Sequence, residues 1–299
     1  MKTFNRCTLF AAVAVAASSA WTQVVASPGV AFITDIKGDA TLGTGKAALM
    51  AEVGKGARIV CVKECQVGVM YLVSGKEFTL KGPGDFVVGD AEVAAKIGPP
   101  PKVRETQWKV SAQTVNQAAQ TSNASIRMRS LGSTGNVKGD PKDDIKQPAE
   151  RLLYPLQTSV ATLQPAFRWT ASNARGPFDF ELKAAGATTR SVYKAKSSDT
   201  AIKLPNSVKL QPDAEYSWTV KMGNAAASTD VGTGTFKTLP APSLELAQRR
   251  KPGDKAEFSD WLLYGLTLRE LGATQDASAV FGKLAKERPD VAELAALAK

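Results

Sequence analysis

The chain has 299 residues, of which 43% are hydrophobic and 22% are charged, and its formal net charge is +10. This composition indicates a globular protein, and the length indicates two or three domains. The chain contains no histidine, which excludes Ser-His-Asp and Cys-His catalytic groups and any imidazole base.

The N-terminus has the layout of a secretory signal peptide. Lys2 and Arg6 precede an apolar run from Cys7 to Ala20, and small residues then offer cleavage sites. Cleavage after Ala26 fits best, because Val24 and Ala26 occupy the two positions that the peptidase inspects. An uncleaved anchor is the alternative, but the run is shorter than the roughly 20 residues that span a bilayer. We expect residues 1–26 to be removed, leaving a periplasmic or secreted protein with no transmembrane anchor.

The basic charge has two interpretations. Removing Lys2 and Arg6 leaves 36 basic and 28 acidic residues, a net charge of +8. An exported basic protein can bind an anionic polymer of the cell envelope. Alternatively, the charge is dispersed and only aids solubility, since the chain has no long block of Lys and Arg. No motif indicates a nucleic-acid partner.

The stretch CVKEC, residues 61–65, contains the two cysteines that remain after the signal peptide is removed. A structural zinc site needs four ligands, and without the signal peptide, which carries Cys7, the chain has no further cysteine or histidine to supply them. If the flanking residues form two paired strands, Cys61 and Cys65 face each other at about 4.5–5.5 Å between Cα atoms. That distance suits a disulfide. Free thiols or redox chemistry are the alternatives.

Residues 27–98 are predicted to form a small all-β domain that closes at a glycine and proline cluster. Short alternating runs separated by glycine-containing turns predict its strands. These are Val30–Ile36, Ala57–Val62, Gln66–Val73, Glu77–Leu80 and Asp85–Val88. Val67, Val69, Tyr71 and Val73 are expected to share one face.

Within this domain, the stretches IKGDATL, LMAEVGKGARI, VGVMYLVSGKEFTLKGPG and FVVGDAEV resemble the FecR-type domain of bacterial envelope proteins. The resemblance covers about 70 residues. It implies a small β domain that works in the cell envelope.

Residues 99–150 are predicted to form a connector. Trp108, Ala112, Val115, Ala119 and Ile126 recur at helical spacing. The stretch GSTGNVKGDPKDDIKQP that follows has almost no apolar residues and reads as a flexible linker. Its aspartates, Asp140, Asp143 and Asp144, have no rigid frame for metal or acid-base chemistry.

Residues 151–240 are predicted to form a β-sandwich of about seven short strands. Phe167 and Trp169 alternate, and so do the aromatic and aliphatic residues of the later strands. The stretch LQPDAEYSWTV places Leu210, Pro212 and Tyr216 in a pattern that resembles the tyrosine corner of fibronectin type III domains. The resemblance implies that the Tyr216 ring is buried while its hydroxyl bonds to the backbone before its strand.

Residues 241–299 are rich in Ala, Leu, Glu and Lys and are predicted to form an all-α tail. The stretch from residue 261 to residue 289 resembles a single tetratricopeptide repeat. The repeat's spacing is matched by Trp261, Gly265, Ala277, Phe281 and Pro289. A lone repeat does not bury both faces.

The spare face of this repeat is expected to carry Leu244, Leu246, Leu294 and Leu297. These leucines either cap the helix pair or meet an envelope protein or a second copy of the chain.

Taken together, the sequence predicts a multidomain, exported and non-catalytic protein of the bacterial cell envelope. It has an FecR-like domain, a linker, a fibronectin type III-like sandwich and a helical-repeat tail, and no cofactor is expected. Ser191 and Lys194 match a Ser-x-x-Lys motif, but three-residue spacing on a strand is expected to point them to opposite faces. The predicted role is binding or scaffolding in protein-protein interaction or envelope signalling. A structural protein that binds anionic wall polymer is the alternative.

Overall fold

The computed structural model describes residues 29–108, 111–121, 151–171, 176–185, 190–222 and 229–299. Over these ranges the chain consists mainly of antiparallel β-sheets followed by C-terminal helices. This confirms the predicted combination of β modules with a helical tail. The predicted signal peptide and the linker that starts at Gly132, with its aspartates, lie outside the described residues, and so does Ile126.

Residues 29–105, called the first β unit below, contain ten strands. These are β1 (Gly29–Lys37), β2 (Ala40–Leu42), β3 (Gly45–Lys46), β4 (Glu52–Gly54), β5 (Arg58–Cys61), β6 (Gln66–Tyr71), β7 (Lys76–Lys81), β8 (Gly84–Val88), β9 (Val93–Ile97) and β10 (Lys102–Glu105). They form two five-stranded sheets, in the orders β10-β7-β6-β1-β4 and β3-β2-β5-β8-β9. Strand β10 lies beyond the predicted boundary at residue 98 and pairs with β7.

The core of the first β unit lies between its two sheets. Val67, Val69 and Tyr71 alternate along β6 and are buried there, because successive side chains of a strand point to opposite faces. Val73, expected on the same face, is 91% exposed. Strand β6 ends at Tyr71 and the chain then turns, so the alternation stops before Val73.

Cys61 and Cys65 are bonded to each other, with their Cα atoms 5.5 Å apart, and both side chains are buried. The expected hairpin is wrong, because β5 pairs with β2 and β8 while β6 pairs with β1 and β7. The chain instead crosses from one sheet to the other between the two cysteines. A loop this short constrains the unfolded chain by about 2 kcal/mol in the entropy model.

Residues 151–238, called the second β unit, contain eight strands. These are β11 (Arg151–Tyr154), β12 (Ser159–Val160), β13 (Ala166–Thr170), β14 (Phe178–Ala184), β15 (Arg190–Ser197), β16 (Ala201–Lys203), β17 (Glu215–Met222) and β18 (Thr229–Thr238). They form a three-stranded sheet, β11-β13-β16, and a five-stranded sheet, β12-β18-β17-β14-β15. Only the short β12–β18 pair is parallel among the described pairs.

Aromatic side chains fill the space between these two sheets. Phe167 and Trp169 point inward from β13, and Phe178, Phe180 and Trp218 point inward from the opposite sheet, each at most 2% exposed. The Phe167 and Trp218 rings meet edge to face, with centroids 5.2 Å apart. Such pairs contribute beyond their buried area. This unit therefore has a core of its own.

Tyr216 is buried beside this core, and its hydroxyl accepts a hydrogen bond of 2.8 Å from the backbone N–H of Gln211. Leu210 is buried as well, and Pro212 lies in the turn between Gln211 and β17. The hydroxyl thus satisfies a backbone donor in the loop that precedes its own strand.

The described helices are α1 (112–121), α2 (Ala241–Arg250), α3 (Phe258–Glu270), α4 (Thr274–Glu287) and α5 (Ala292–Leu297). Trp108 was predicted to be a helical position but precedes helix α1, which begins at residue 112, while β10 occupies Lys102–Glu105. Residues 241–299 are called the helical tail below.

A third hydrophobic core joins the helical tail to the first β unit. It contains residues of α2 to α5 together with Phe32, Leu49, Met50 and Met70 of the first β unit and Trp108, Val115 and Ala118 of the connector. Phe32 of β1 and Met70 of β6 point away from the core between the two sheets of the first β unit. The sheet β10-β7-β6-β1-β4 is therefore covered on both faces. The second β unit adds the partly buried Ala161 and Leu163, and the buried Leu239 follows its last strand.

Candidate functional site at the helical junction

Helices α3 and α4 form a closely packed pair. A Cβ atom at Gly265 would lie 2.6 Å from Cε1 of Phe281, so only glycine lets the ring approach the α3 backbone this closely. Ala277 and Phe281 are fully buried. Trp261 is partly buried, with the Lys283 ammonium 4.8 Å from its ring centroid. Pro289 follows the end of α4, where it cannot extend the helix.

The leucines that were expected either to cap the helix pair or to meet a partner are mostly covered. Leu244, Leu294 and Leu297 are buried in the third core, and Leu246 is partly exposed. Most of the tail's second apolar face is therefore covered by the chain itself, in the core that also contains residues of the first β unit. A partner of the tail would have to contact other residues.

A charged cluster centred on Arg104 of β10 fixes α3 to the first β unit. The Arg104 guanidinium donates to Oε2 of Glu77 at 2.5 Å and to Oδ2 of Asp260 at 2.9 Å. Glu77 is 5% exposed and also accepts from the hydroxyls of Thr34 and Ser259. Three strands, β1, β7 and β10, and helix α3 thus share a single hydrogen-bonded network.

Asp260 has several roles in this network. Besides Arg104, its carboxylate accepts the Trp108 indole N–H at 2.8 Å and the backbone N–H of Glu257 at 3.1 Å. The second bond satisfies a free donor at the start of α3. Burial opposes the charge of Arg104, but its hydrogen bonds to Asp260 and Glu77 outweigh that effect and raise the pKa of the guanidinium.

A second cluster, centred on Arg288, fixes the end of α4 to β1. The guanidinium donates to Oδ1 of Asp35 at 2.8 Å and to the carbonyl of Ile36. It also binds Asp290 and lies over the Phe258 ring, 5.3 Å from its centroid. The hydrogen bond from Arg288 lowers the pKa of Asp290. Asp35 is buried, so Arg288 supplies the countercharge that its position requires.

The first turn of α4 contacts the second β unit through polar groups. The Tyr154 hydroxyl donates to Oδ1 of Asp276 at 2.6 Å, and the backbone N–H of Ala161 donates to Oδ2 at 2.9 Å. Gln275 bonds to the backbone of Leu153 and Leu156. Burial raises the pKa of Asp276 although both hydrogen bonds act in the opposite direction. Burial near Asp276 also raises the pKa of Tyr264 to about 12.

The residues singled out from the sequence occupy three separate places. The disulfide lies in the first β unit, the Tyr216 motif and Trp169 lie in the second, and the repeat residues lie in the tail. Sequence reasoning missed the charged residues that join these places, which are Asp35, Glu77, Arg104, Asp276 and Arg288.

One feature of the sequence could have predicted the contact between the helical tail and the first β unit. Phe32 of β1 and Met70 of β6 are large apolar residues on the face opposite the sandwich core. A sheet with apolar residues on both faces needs a covering layer on each.

Ser191 and Lys194 were expected to point to opposite faces of their strand, and this expectation is wrong. The β14–β15 register shifts beside Ser191, and both side chains approach Glu181 on the same face. The extra residue of a bulge reverses the alternation. Lys194 pairs with Glu181 at 3.1 Å and is 68% exposed, so the pair lies on an open, solvated surface.

Two further properties of the described ranges bear on function. No helix there combines the length and the apolar character needed to cross a membrane. The same ranges hold no group of three or more His, Cys, Asp or Glu side chains placed to bind a metal ion.

No protein-family model matches the chain, and no curated protein matches its sequence.

Proposed function

We propose that the chain is an exported, non-catalytic binding or scaffold protein of the bacterial cell envelope. Its role is to hold two β modules in a defined arrangement for protein-protein interaction or envelope signalling. The observation that carries this proposal is the helical junction, where buried charges and a shared apolar core fix the tail to the first β unit and hydrogen bonds fix it to the second. This construction suits a scaffold, because it limits the movement of one module relative to the other.

The proposal includes the identity of the modules. The first β unit is assigned to the FecR type, the second to the fibronectin type III type, and the tail to a single tetratricopeptide-like repeat. The buried Tyr216 with its backbone hydrogen bond supports the second assignment. The close approach of Phe281 to Gly265 supports the third. Export through residues 1–26 to the periplasm or the exterior belongs to the same proposal.

Envelope proteins are proposed to contact the exposed side of the tail, since its buried leucines are already covered. Glu270 and Lys286 are exposed there. Crosslinking in the native envelope tests this with the double variant Glu270→Lys and Lys286→Glu, which leaves the net charge unchanged. The variant should lose crosslinked partners that the unaltered protein retains.

A matched control exchanges the exposed pair Lys55 and Asp90 of the first β unit, as Lys55→Asp and Asp90→Lys. It should keep every crosslink. Equal loss in both variants, or retention of all partners in the tail variant, would reject the tail as the docking element.

A further inference from the structure

The basic charge of the mature chain is concentrated in one module. Residues 151–240 contain 11 Lys and Arg but only 6 Asp and Glu, whereas residues 241–299 contain 9 of each. The dispersed-charge interpretation predicts an even distribution, so an anionic ligand should be sought on the second β unit.

The outer face of the three-stranded sheet carries much of this excess. Its strands read RLLY, AFRWT and AIK, and none contains an acidic residue. Leu152, Phe167 and Trp169 point into the core, so Arg151 and Arg168 lie on the outer face. Lys203 lies there too, because it pairs with Ala166 while Phe167 pairs with Ile202.

These three cations are neighbours, and all are exposed. Arg168 lies opposite Tyr154 on β11, and Arg151 lies opposite Thr170, two residues further along β13. Diagonal neighbours in a sheet are about 7–8 Å apart at Cα. Three positive side chains on adjacent strands therefore form one continuous surface, called the cationic face below.

The cationic face is partly organised and is not neutralised by its surroundings. The Arg168 guanidinium carbon lies 5.5 Å from the centroid of the Tyr154 ring, which limits its freedom. Within the part of the chain that the structure describes, none of its three cations forms an ion pair. Asp276, the carboxylate beyond Tyr154, is occupied by the Tyr154 hydroxyl and the Ala161 N–H.

The outer face of the five-stranded sheet behaves differently. There Lys194 pairs with Glu181 at 3.1 Å and Lys196 pairs with Asp179 at 3.7 Å. Lys237 pairs with Asp213 at 3.0 Å. Each of these lysines has a local countercharge, although Glu181 is shared with Lys183, so these lysines should attract an anion less strongly than unpaired cations do.

We propose that the cationic face binds a phosphate-bearing polysaccharide of the cell envelope. This deepens the binding role proposed above, on which it rests, by naming a ligand class. Two guanidinium groups match phosphate oxygens with paired donors, and a flat, extended face suits a linear polymer.

Other polyanions fit this face less well. Single-stranded nucleic acid relies on exposed aromatic rings for base stacking, but Tyr154 is half-buried and lies under Arg168. Binding to a membrane surface is strengthened by large apolar side chains that enter the lipid, whereas Ala166 and Ala201 are the apolar residues exposed on this face.

The test measures binding of the mature full-length protein to purified lipopolysaccharide, before and after chemical removal of its phosphates. The triple variant Arg151→Gln, Arg168→Gln, Lys203→Gln should bind the phosphorylated form about 10- to 100-fold more weakly, because exposed charge pairs are individually weak and act together. The control Lys194→Gln, Lys196→Gln, Lys237→Gln removes the same charge and should bind within about twofold of the unaltered protein. Circular dichroism verifies that both variants are folded.

A charge-preserving variant keeps the proposal testable if the triple variant is unstable. Arg151→Lys with Arg168→Lys retains the charge but loses the paired donors, so it should weaken binding to the phosphorylated form and leave residual binding to the dephosphorylated form unchanged. Equal binding of both forms by the unaltered protein would overturn the proposal. Equal losses in the two triple variants would do so as well.

Two further arms separate the ligand sources. A single-stranded DNA oligonucleotide or phosphatidylglycerol vesicles that bind tighter than lipopolysaccharide, with the same dependence on the cationic face, would reject the polysaccharide. Weaker binding of both supports it. A negative result here leaves the tail-dependent crosslinks intact, so failure of the ligand proposal and failure of the scaffold proposal are distinguishable.

Discussion

The two β units contact the helical tail in different ways. The first β unit contributes Phe32 and Met70 to the core of the tail and adds two clusters of buried charge around Arg104 and Arg288. The second β unit has a complete aromatic core of its own and meets the tail through hydrogen bonds at the start of α4. Hydrophobic burial is the dominant stabilising term in folding. The difference therefore indicates that the tail and the first β unit fold as one body, although they are distant in sequence.

Removing residues 241–299 should have the largest effect. Phe32, Met70 and Trp108 would lose their covering layer, and a buried large apolar side chain contributes about 1.5–3 kcal/mol. We expect a chain ending at Pro240 to lose cooperative unfolding of the first β unit while the second retains it. Thermal unfolding followed by near-ultraviolet circular dichroism checks this. Intact cooperative unfolding of the first β unit without the tail would show that the shared core is dispensable.

Matched core truncations should separate the two bodies. Phe281→Ala and Trp169→Ala each remove a fully buried ring, at an expected cost of about 3–5 kcal/mol. The Trp169 indole N–H has no hydrogen-bond partner among the described residues, so its loss is one of packing alone. Phe281→Ala should destabilise the first β unit together with the tail, and Trp169→Ala only the second β unit. Urea unfolding monitored by hydrogen exchange distinguishes these patterns, and a uniform effect of either variant on all regions would contradict them.

Arg104→Ala should cost about 2–4 kcal/mol, because it leaves the buried Glu77 without its countercharge. The value lies below that for a fully enclosed pair, since the Arg104 side chain is 39% exposed. Lys55→Ala is the control, because Lys55 and its partner Asp90 are 62% and 71% exposed. That change should affect the free energy of unfolding much less, because solvent screens a pair that is exposed on both sides. Equal destabilisation by both variants would remove the special role assigned to the Arg104 cluster.

The smallest expected effect concerns Asp276, which joins helix α4 to the second β unit. It is a change in how the free energy of unfolding depends on pH. Burial raises the pKa of Asp276 above the ordinary aspartate value of 3.8, so the folded protein binds this proton more tightly than the unfolded chain. Its contribution to stability therefore falls as the pH rises from 3.8 through the raised pKa. Asp276→Asn should remove that fall, measured as the difference between urea unfolding curves of the two proteins over this pH range. If the stability of the two proteins depends on pH in the same way, burial does not raise the pKa of Asp276.

Much of the local structure could be predicted from the sequence, because alternation and helical spacing are local properties. The strands around Val67 and Trp169 and the helix pair around Phe281 follow from such patterns. The contacts between the helical tail and the β units could not be predicted. Arg104 and Asp260 are 156 residues apart, and the sequence around each one is typical of a charged residue exposed to solvent. The β5–β6 crossing was missed for a related reason, because a short turn between two strands does not specify whether they pair with each other.

Native-state hydrogen exchange of the full-length protein tests the central claim most directly. If the tail and the first β unit form one cooperative body, the slowest amides of α3 and β1 should share one opening free energy, and those of β14 and β17 should share another. Arg104→Ala should lower the first value and leave the second unchanged. Opening of α3 at a much lower free energy than β1, with no response of β1 to Arg104→Ala, would contradict the account.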